Sequence, residues 1–435
     1  MEENKIGYRD IVKQKEYMKT VIAAVINRFG DSIDTIAFAW LVYQITQSAA
    51  WSAIIFGFNR LPTIFLQPFA GAAVEGKNKK AIMIITDVIR GITVGFVATA
   101  FLAGFLNQWI MLGCTIVISC AEAFRNPASS ALLPKLLDKK YYSFGISFNT
   151  SLCSLMELIG LGLAGAIISL FSMSTAIYID MITFFLSALI ILMVRVKEEQ
   201  LTKAKINAKE YIDSLKGGFL YLKENAFLRY MVTIAVFLNA ILVPMNSLQA
   251  PLVSEVLHSN EIMLSVLSLG LTLGMILGAV IYPYISTVIS SYAIVCIGGY
   301  SIGVYFISLV IIGEFIHVAI LNYMMVAFAS FVLGVVIATV NTYAGIEFMK
   351  SIEEGYIARV SAIMNAGCVA ATPVVSFIIS GVTGFTSTGK IFLAVGLLDF
   401  LVCLVLFGKK RFTAIVNEQN ERSENERQIS DSEAC

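Results

Sequence analysis

The sequence predicts an all-α membrane protein that crosses the bilayer twelve times, in two halves of six helices, with both termini in the cytoplasm. Three observations predict it: the balance of apolar to charged residues, the length of the apolar runs, and the sorting of Lys and Arg between loops. Of 435 residues, 57% are hydrophobic and 14% are charged. A soluble domain averages about 45–50% apolar and about 25% charged. A water-soluble chain of this length has too little interior to hide so much apolar surface, so lipid is part of its solvent.

A hydrocarbon core about 30 Å thick takes roughly 20 apolar residues per helix. Runs of that kind cover 20–45, 50–75, 81–104, 109–130, 144–170, 174–195, 228–254, 262–284, 292–313, 316–346, 357–383 and 388–408. The first run is long, carries charges and lacks an A-x-A-like exit, so it reads as a retained span and not as a cleaved signal. Taken in order, the basic residues alternate with the runs. Lys5, Arg9, Lys13, Lys15 and Lys19 precede the first span. Lys77, Lys79 and Lys80 separate the second from the third, and Lys135, Lys139 and Lys140 follow the fourth. Eight more run from Arg195 to Arg229, Lys350 and Arg359 sit between the tenth and eleventh, and Lys409, Lys410, Arg411, Arg422 and Arg427 follow the twelfth. That places 26 of the 31 Lys and Arg on one side and only Lys390 on the other. Arg28, Arg60, Arg90 and Arg125 remain inside spans. Cytoplasmic loops collect the basic residues, so this sorting predicts an even number of spans with both ends inside. The loop between the eighth and ninth spans, near Ser286–Tyr292, carries no charge and is the one place where the rule is silent.

The basic stretch 196–227 divides the chain into an N-terminal half, 1–195, and a C-terminal half, 228–410, with a polar tail, 411–435, expected to be disordered. Within the stretch, Ile206, Ile212, Leu215, Phe219 and Leu222 fall on one helical face opposite Lys and Glu. A helix lying on the membrane surface and a solvated linker helix both fit that pattern. The halves echo each other weakly: Gly71-Ala-Ala-Val ends the second span and Gly278-Ala-Val-Ile the eighth, and the fifth and eleventh spans each carry an early Asn, Asn149 and Asn365. Two six-span halves of this kind are expected to hold a binding site at the bilayer midplane.

Ionisable groups are costly inside a bilayer and are functional candidates by default. Asp34, Arg60 and Glu157 lie near the middle of their runs. A carboxylate whose cationic partner comes and goes with conformation can take up and release a proton, so these three are the proton-coupling candidates. A static buried ion pair is the alternative for each. Arg28, Asp31, Glu75, Asp87, Arg90, Glu122 and Arg125 cluster towards the cytoplasmic ends, where alternating signs can latch an inner gate; Asp87 and Arg90, three apart, share a helical face. The second half is poorer in charge, with Glu347 and Asp399 its only carboxylates well inside spans. Its neutral polar residues Asn239, Asn246, Gln249 and Asn365 are candidates for lining a substrate cavity, alongside Asn322 and Asn341. Some of the many aromatic and Met side chains are expected to line a cavity for amphipathic solutes.

Several chemistries are excluded. A formal net charge of +1 argues against a nucleic-acid partner. The seven Cys include no C-x-x-C pair, and His258 and His317 are the only histidines, so neither a disulfide framework nor a metal site is expected. Gly71-Ala-Ala-Val-Glu75-Gly76-Lys77-Asn78 imitates a phosphate-binding loop, but it ends in Asn where a hydroxyl would reach Mg²⁺, and it closes a lipid-spanning helix. Gly160-Leu-Gly162-Leu-Ala-Gly165 imitates a dinucleotide fingerprint but lies mid-span. Close helix packing through small residues explains it better, as it does Gly270, Gly274 and Gly278. No cofactor is expected, and no nucleophile–base set suggests an enzyme.

The residues then resemble a known group. Arg28-Phe-Gly-Asp31-Ser-Ile-Asp-Thr-Ile-Ala, followed by Trp40-Leu-Val-Tyr-Gln-Ile-Thr, resembles the first span of the macrolide-efflux-like branch of the major facilitator superfamily. Gly71-Ala-Ala-Val-Glu75-Gly-Lys-Asn-Lys79-Lys80 is similar to the superfamily loop G-x-x-x-D-R-x-G-R-R, with Glu75, Gly76 and Asn78 departing from it. Asp87-Val-Ile-Arg90, Phe124-Arg-Asn-Pro127-Ala-Ser-Ser-Ala-Leu-Leu-Pro134-Lys-Leu and Arg359-Val-Ser-Ala-Ile-Met-Asn365 fit the branch too. The resemblance implies the major facilitator fold and export of macrolides, other drugs or siderophores by proton antiport. It also implies that the family's Asp–Arg latch is built from Glu75 with Arg90 or Arg125. The Gly-rich fifth span lacks the Pro usual in antiporters of this kind.

The expectation is therefore a monomeric drug or amphipathic-molecule exporter of the cytoplasmic membrane, with protons and the bilayer as its other partners. An importer or lysolipid-type flippase on the same fold is the runner-up, and a transport-dead membrane sensor comes third.

Overall fold

The computed structural model describes residues 8–75, 77–196, 219–223, 225–352 and 357–406. The amphipathic positions Ile206, Ile212 and Leu215 and the tail 411–435 lie outside the described residues. Among the described residues the chain is helical and contains no strand. Twelve long helices follow one another: α1 Lys15–Thr46, α2 Ala49–Glu75, α3 Lys79–Leu102, α4 Gln108–Leu136, α5 Tyr142–Leu170, α6 Met173–Leu192, α7 Ala226–Ser247, α8 Glu261–Val288, α9 Ser291–Phe315, α10 Ala319–Lys350, α11 Ile357–Thr383 and α12 Thr388–Leu406. Ten are long and apolar enough to cross a membrane by length and composition. The two that fall short, α1 and α4, hold Arg28, Asp31, Asp34, Glu122 and Arg125. The span count expected from sequence thus exceeds the ten by these two helices, both of which carry candidate charges.

Four of the described helices begin where a polar side chain takes over unpaired N–H groups of the first turn. Asn78 accepts from Ala81 N at 2.6 Å to open α3, Asn107 from Trp109 and Ile110 N at 3.0 Å to open α4, Ser172 from Thr175 N at 3.1 Å to open α6, and Ser290 from Ala293 N at 3.4 Å to open α9. Asn78, the residue that spoils the phosphate-loop match, is therefore a helix cap. At the other end of α1, Gln47 adopts φ +47° and its N–H returns to the Tyr43 carbonyl, which stops the helix. The end of α6 is closed by two lysines: Lys80 Nζ donates to the carbonyls of Leu192 and Val194 at 2.7 and 2.8 Å, and Lys19 Nζ to that of Met193 at 2.9 Å. Cations at a helix C-terminus complement its dipole.

The chain forms two compact units. The first contains α1–α6 with the short stretches Ser247–Ser254 and Ser259–Val266; the second contains most of α7 and α8 with α9–α12. In the first unit α6 packs on both α1 and α3, α4 on both α2 and α3, and α5 on α1. In the second, α9 packs on α10 and α12, where Phe306 and Phe392 are fully buried and meet edge to face at 5.2 Å.

Lipid is as apolar as leucine, so close packing and not apolar burial holds such helices together. Small residues provide it. A Cβ on Gly160 of α5 would lie 2.7 Å from Ser32 Cβ and 2.9 Å from the Phe29 carbonyl on α1. Gly270, Gly274 and Gly278 of α8 press on Ser330, Phe331 and Val335 of α10 in the same way. Both glycine patterns are packing seams. The outward surface stays apolar, with Phe65 at 65% and Phe385 at 93% exposure.

Candidate functional site

In the first unit, α1, α3, α4 and α6 bring charged and polar residues into one buried region. The two charged residues of α3, Asp87 and Arg90, share a helical face but do not pair with each other: each takes its partner from a different helix. Asp87 has no exposed surface and pairs with Arg125 of α4, whose Nε faces Oδ1 and whose Nη2 lies 3.4 Å from Oδ2. Ser187 of α6 donates to Oδ2 at 2.7 Å. Asn27 of α1, in the amide orientation that satisfies both its ends, accepts from Arg125 Nη2 at 2.5 Å and donates to the Thr183 carbonyl at 3.2 Å. Four helices are thus tied through one ion pair whose carboxylate is fully buried. Breaking such a pair from one side strands a buried charge and costs about 3–5 kcal/mol.

Arg90 turns to α1, donating from Nη2 to Asp31 Oδ1 at 2.8 Å. Its guanidinium also lies 4.1 Å from the centre of the Phe184 ring on α6, a cation–π contact. Gly91 and Gly95 of α3 let α6 come this close: a Cβ on Gly91 would lie 3.3 Å from Phe184 Cβ, and one on Gly95 2.5 Å from Met181 Sδ.

Two further carboxylates act on the same guanidinium. Asp34 is half-buried one turn beyond Asp31 and interacts electrostatically with Asp31 and Arg90. Asp180 of α6 is 1% exposed and interacts with Asp34, Asp31 and Arg90. Its Oδ1 accepts the Thr183 hydroxyl at 3.3 Å, and its Oδ2 is buried with no partner. Glu122 of α4 also acts on Arg90.

The other sequence candidates are placed as follows. Glu157 faces Arg28 at 4.0 Å, both about half exposed. Arg60 is exposed and lies 5.8 Å from the Phe56 ring centre. Glu75 closes α2, and its side chain is outside the described set. A latch from Glu75 to Arg90 or Arg125 is therefore not described; these arginines pair with Asp31 and Asp87. In the second unit, the exposed Asn239 donates to the Ala235 carbonyl at 2.8 Å and to Cys368 Sγ of α11 at 3.5 Å. Asn246 donates back to Leu242 at 3.4 Å, and Asn365 is exposed. Gln249 is half-buried at the start of the short helix Gln249–Pro251. Asn322 is buried and donates to the carbonyls of Leu257 and Ile316, a structural anchor. Asp399 is fully buried and accepts the Gly303 N–H at 2.9 Å.

Asp180 is absent from the sequence-based candidates, although it stands alone in the apolar run of α6, whose mean hydropathy is 2.1. The rule that singled out Asp34 applies to it equally. Asn27 and Ser187 carry no such signal, because isolated neutral polar residues are common in spanning helices. Outside the first span, Glu16 accepts the Arg195 N–H at 2.6 Å and Lys19 Nζ at 2.8 Å. Those donors hold its carboxyl below the usual glutamate range, the Arg195 N–H first and Lys19 second.

Residues 12–426 match a family described as transmembrane secretion effectors, within the major facilitator transporters. Among curated proteins, the chain is 24% identical over 369 residues to the uncharacterised MFS-type transporter YkuC of Bacillus subtilis, covering 82% of this chain and 83% of that one. It is 22% identical over 240 residues to the multidrug efflux pump Tap of Mycobacterium bovis, covering 53% of this chain and 56% of Tap. Other curated relatives are likewise matched over part of their length, 62% in one case and 50% in another. Among solved structures, the nucleoside transporter NupG superposes with a TM-score of 0.70 at 12% identity, covering 92% of this chain and 99% of NupG, a likeness of fold.

Proposed function

The chain belongs to the transmembrane secretion effector family of major facilitator transporters, and from that premise we propose that it exports drugs or other amphipathic small molecules across the cytoplasmic membrane by proton antiport. The observation that carries the reading is the concentration of ionisable groups inside otherwise apolar helices of the first unit. Asp34 shares one guanidinium, Arg90, with Asp31 and Asp180. Carboxylates outnumber their counter-ion there, so a change in helix contacts alters how many of them can stay charged. That is the physical requirement for coupling a conformational cycle to a proton. The partial similarity to a multidrug efflux pump supports the outward direction and an amphipathic substrate.

Within this reading Asp34 is the leading coupling residue. Glu157, with Arg28 only 4.0 Å away and both groups open to water, is a second group able to exchange its partner. Arg60 is a weaker participant, since its guanidinium rests near an aromatic ring and not on an acid. Asp87, Arg125, Asp31 and Arg90 act as the inner latch, in pairings different from the family's loop-to-helix version. Asn239, Asn246, Gln249 and Asn365 are the polar groups offered to substrate. Both termini face the cytoplasm, and the protein works as a monomer.

The test is retention of ethidium and of a macrolide panel by cells expressing the protein, with and without a protonophore. Export driven by protons gives lower retention that the protonophore abolishes, and Asp34→Asn should slow that export about a hundredfold, so that retention rises, the low end of what a positioned proton-transfer group contributes. Protonophore-sensitive accumulation would reverse the direction and favour the importer reading. Full pH-driven export by both Asp34→Asn and Glu157→Gln would remove these residues from coupling.

A further inference from the structure

We propose that Asp180 on α6 and Asp34 on α1 form a paired-carboxyl proton site, one proton shared between them, with Arg90 held on Asp31 as the nearby counter-charge in this conformation. The proposal deepens, and in its transport role rests on, the proton-coupled reading of the same region.

Charge balance is the first argument. The charged groups around this spot are Asp31 and Asp34 from α1, Asp87 and Arg90 from α3, Glu122 and Arg125 from α4, and Asp180 from α6, whose Oδ1 lies against Gly30, one helical turn before Asp34 on the same face of α1. From α5, Glu157 faces Arg28 and not the cluster. Arg125 is taken by Asp87, and among the described residues the Arg90 guanidinium donates to Asp31, at 2.8 Å. Asp34 and Asp180 are left without a cation of their own. Two ionised carboxylates in one low-dielectric site repel each other, and a single proton between them relieves most of that repulsion.

The second argument is the surroundings of Asp180. The residue is 1% exposed, and Oδ2 is buried with no hydrogen-bond partner. An ionised carboxylate needs its lone pairs satisfied to survive there, whereas a carboxylic acid has an O–H to offer the neighbouring acid. Gly30 makes the approach possible: a Cβ at that position would lie 2.5 Å from Asp180 Oδ1, so only glycine admits the carboxyl beside Asp31. Among the described residues no three acids, cysteines or histidines converge to hold a metal ion. The species that fits the excess negative charge is a proton.

The test is infrared difference spectroscopy of the purified full chain in nanodiscs, titrated from about pH 5 to about pH 9, the range in which a perturbed carboxyl would change state. The wild type is expected to show a protonated-carboxyl stretch that disappears as pH rises. Asp180→Asn is expected to lose that band while eluting as a monodisperse protein. If Asp180→Asn does not fold, Asp34→Asn decides: it should shift the midpoint by about one pH unit, since it removes the partner acid. A wild type without a titrating band, or variants that keep the wild-type band and midpoint, would overturn the proposal. The ethidium assay separates the two readings. Band loss with protonophore-insensitive efflux leaves the paired site standing and removes proton-driven export. Protonophore-sensitive efflux with an unchanged band in the variants removes the paired site alone.

Discussion

Among single residues, the Asp87–Arg125 pair states most sharply what the buried charges do. Asp87 is fully buried, and its two oxygens are used by Arg125 and Ser187. Arg125→Ala should therefore destabilise the protein by about 3–5 kcal/mol, because Asp87 is left as an uncompensated charge. The double variant Asp87→Asn, Arg125→Gln should recover most of that, since neither remaining group needs a counter-ion. Thermal unfolding in detergent measures both, and an Arg125→Ala protein that melts like the wild type would mean the pair carries no structural load. These residue types were legible in the sequence, since charge inside an apolar run is conspicuous. Their partners were not. Three-residue spacing puts Asp87 and Arg90 on one face of α3, yet each reaches across to another helix.

At the scale of elements, the glycine seams decide which helices can touch. Gly274 of α8 lies directly against the Phe331 carbonyl of α10, and Gly334 of α10 against Leu271 of α8, so the seam is reciprocal. Gly274→Val should cost about 1–3 kcal/mol or more by forcing the two backbones apart. Gly113→Ala, where nothing lies within 4 Å, should be neutral or slightly stabilising because it only improves helix propensity. The fraction of protein surviving brief heating before size-exclusion chromatography compares them, and equal survival would show that the seam tolerates side chains. The starts of α3, α4, α6 and α9 are set by Asn78, Asn107, Ser172 and Ser290, since capping is local chemistry. The rotation of each helix was not legible in the sequence: α9, α10 and α12 are apolar nearly all round, so their composition does not single out a buried face.

For the whole molecule, the sorting of Lys and Arg makes the orientation testable. A fluorescent protein fused after Cys435 should fold and fluoresce, and alkaline phosphatase fused there should be inactive, because the positive-inside rule puts that end in the cytoplasm. The reverse result would invert the whole arrangement. The division into halves by a basic linker came from the charge run 196–227, and most of that linker lies outside the described residues. By itself the sequence determined the membrane class, the all-helical architecture and the approximate position of every long helix. The bilayer forces this, because a spanning segment must have a set length and satisfy its own backbone hydrogen bonds, which leaves a local mark in each stretch of chain. Only the tertiary structure decided that Arg90 serves Asp31, that Arg125 serves Asp87, and that the Asp180 carboxyl lies against Gly30 of α1. Those facts depend on which helices adjoin and how each is turned about its axis, and residues from four separate helices meet only once the packing of small side chains has set both.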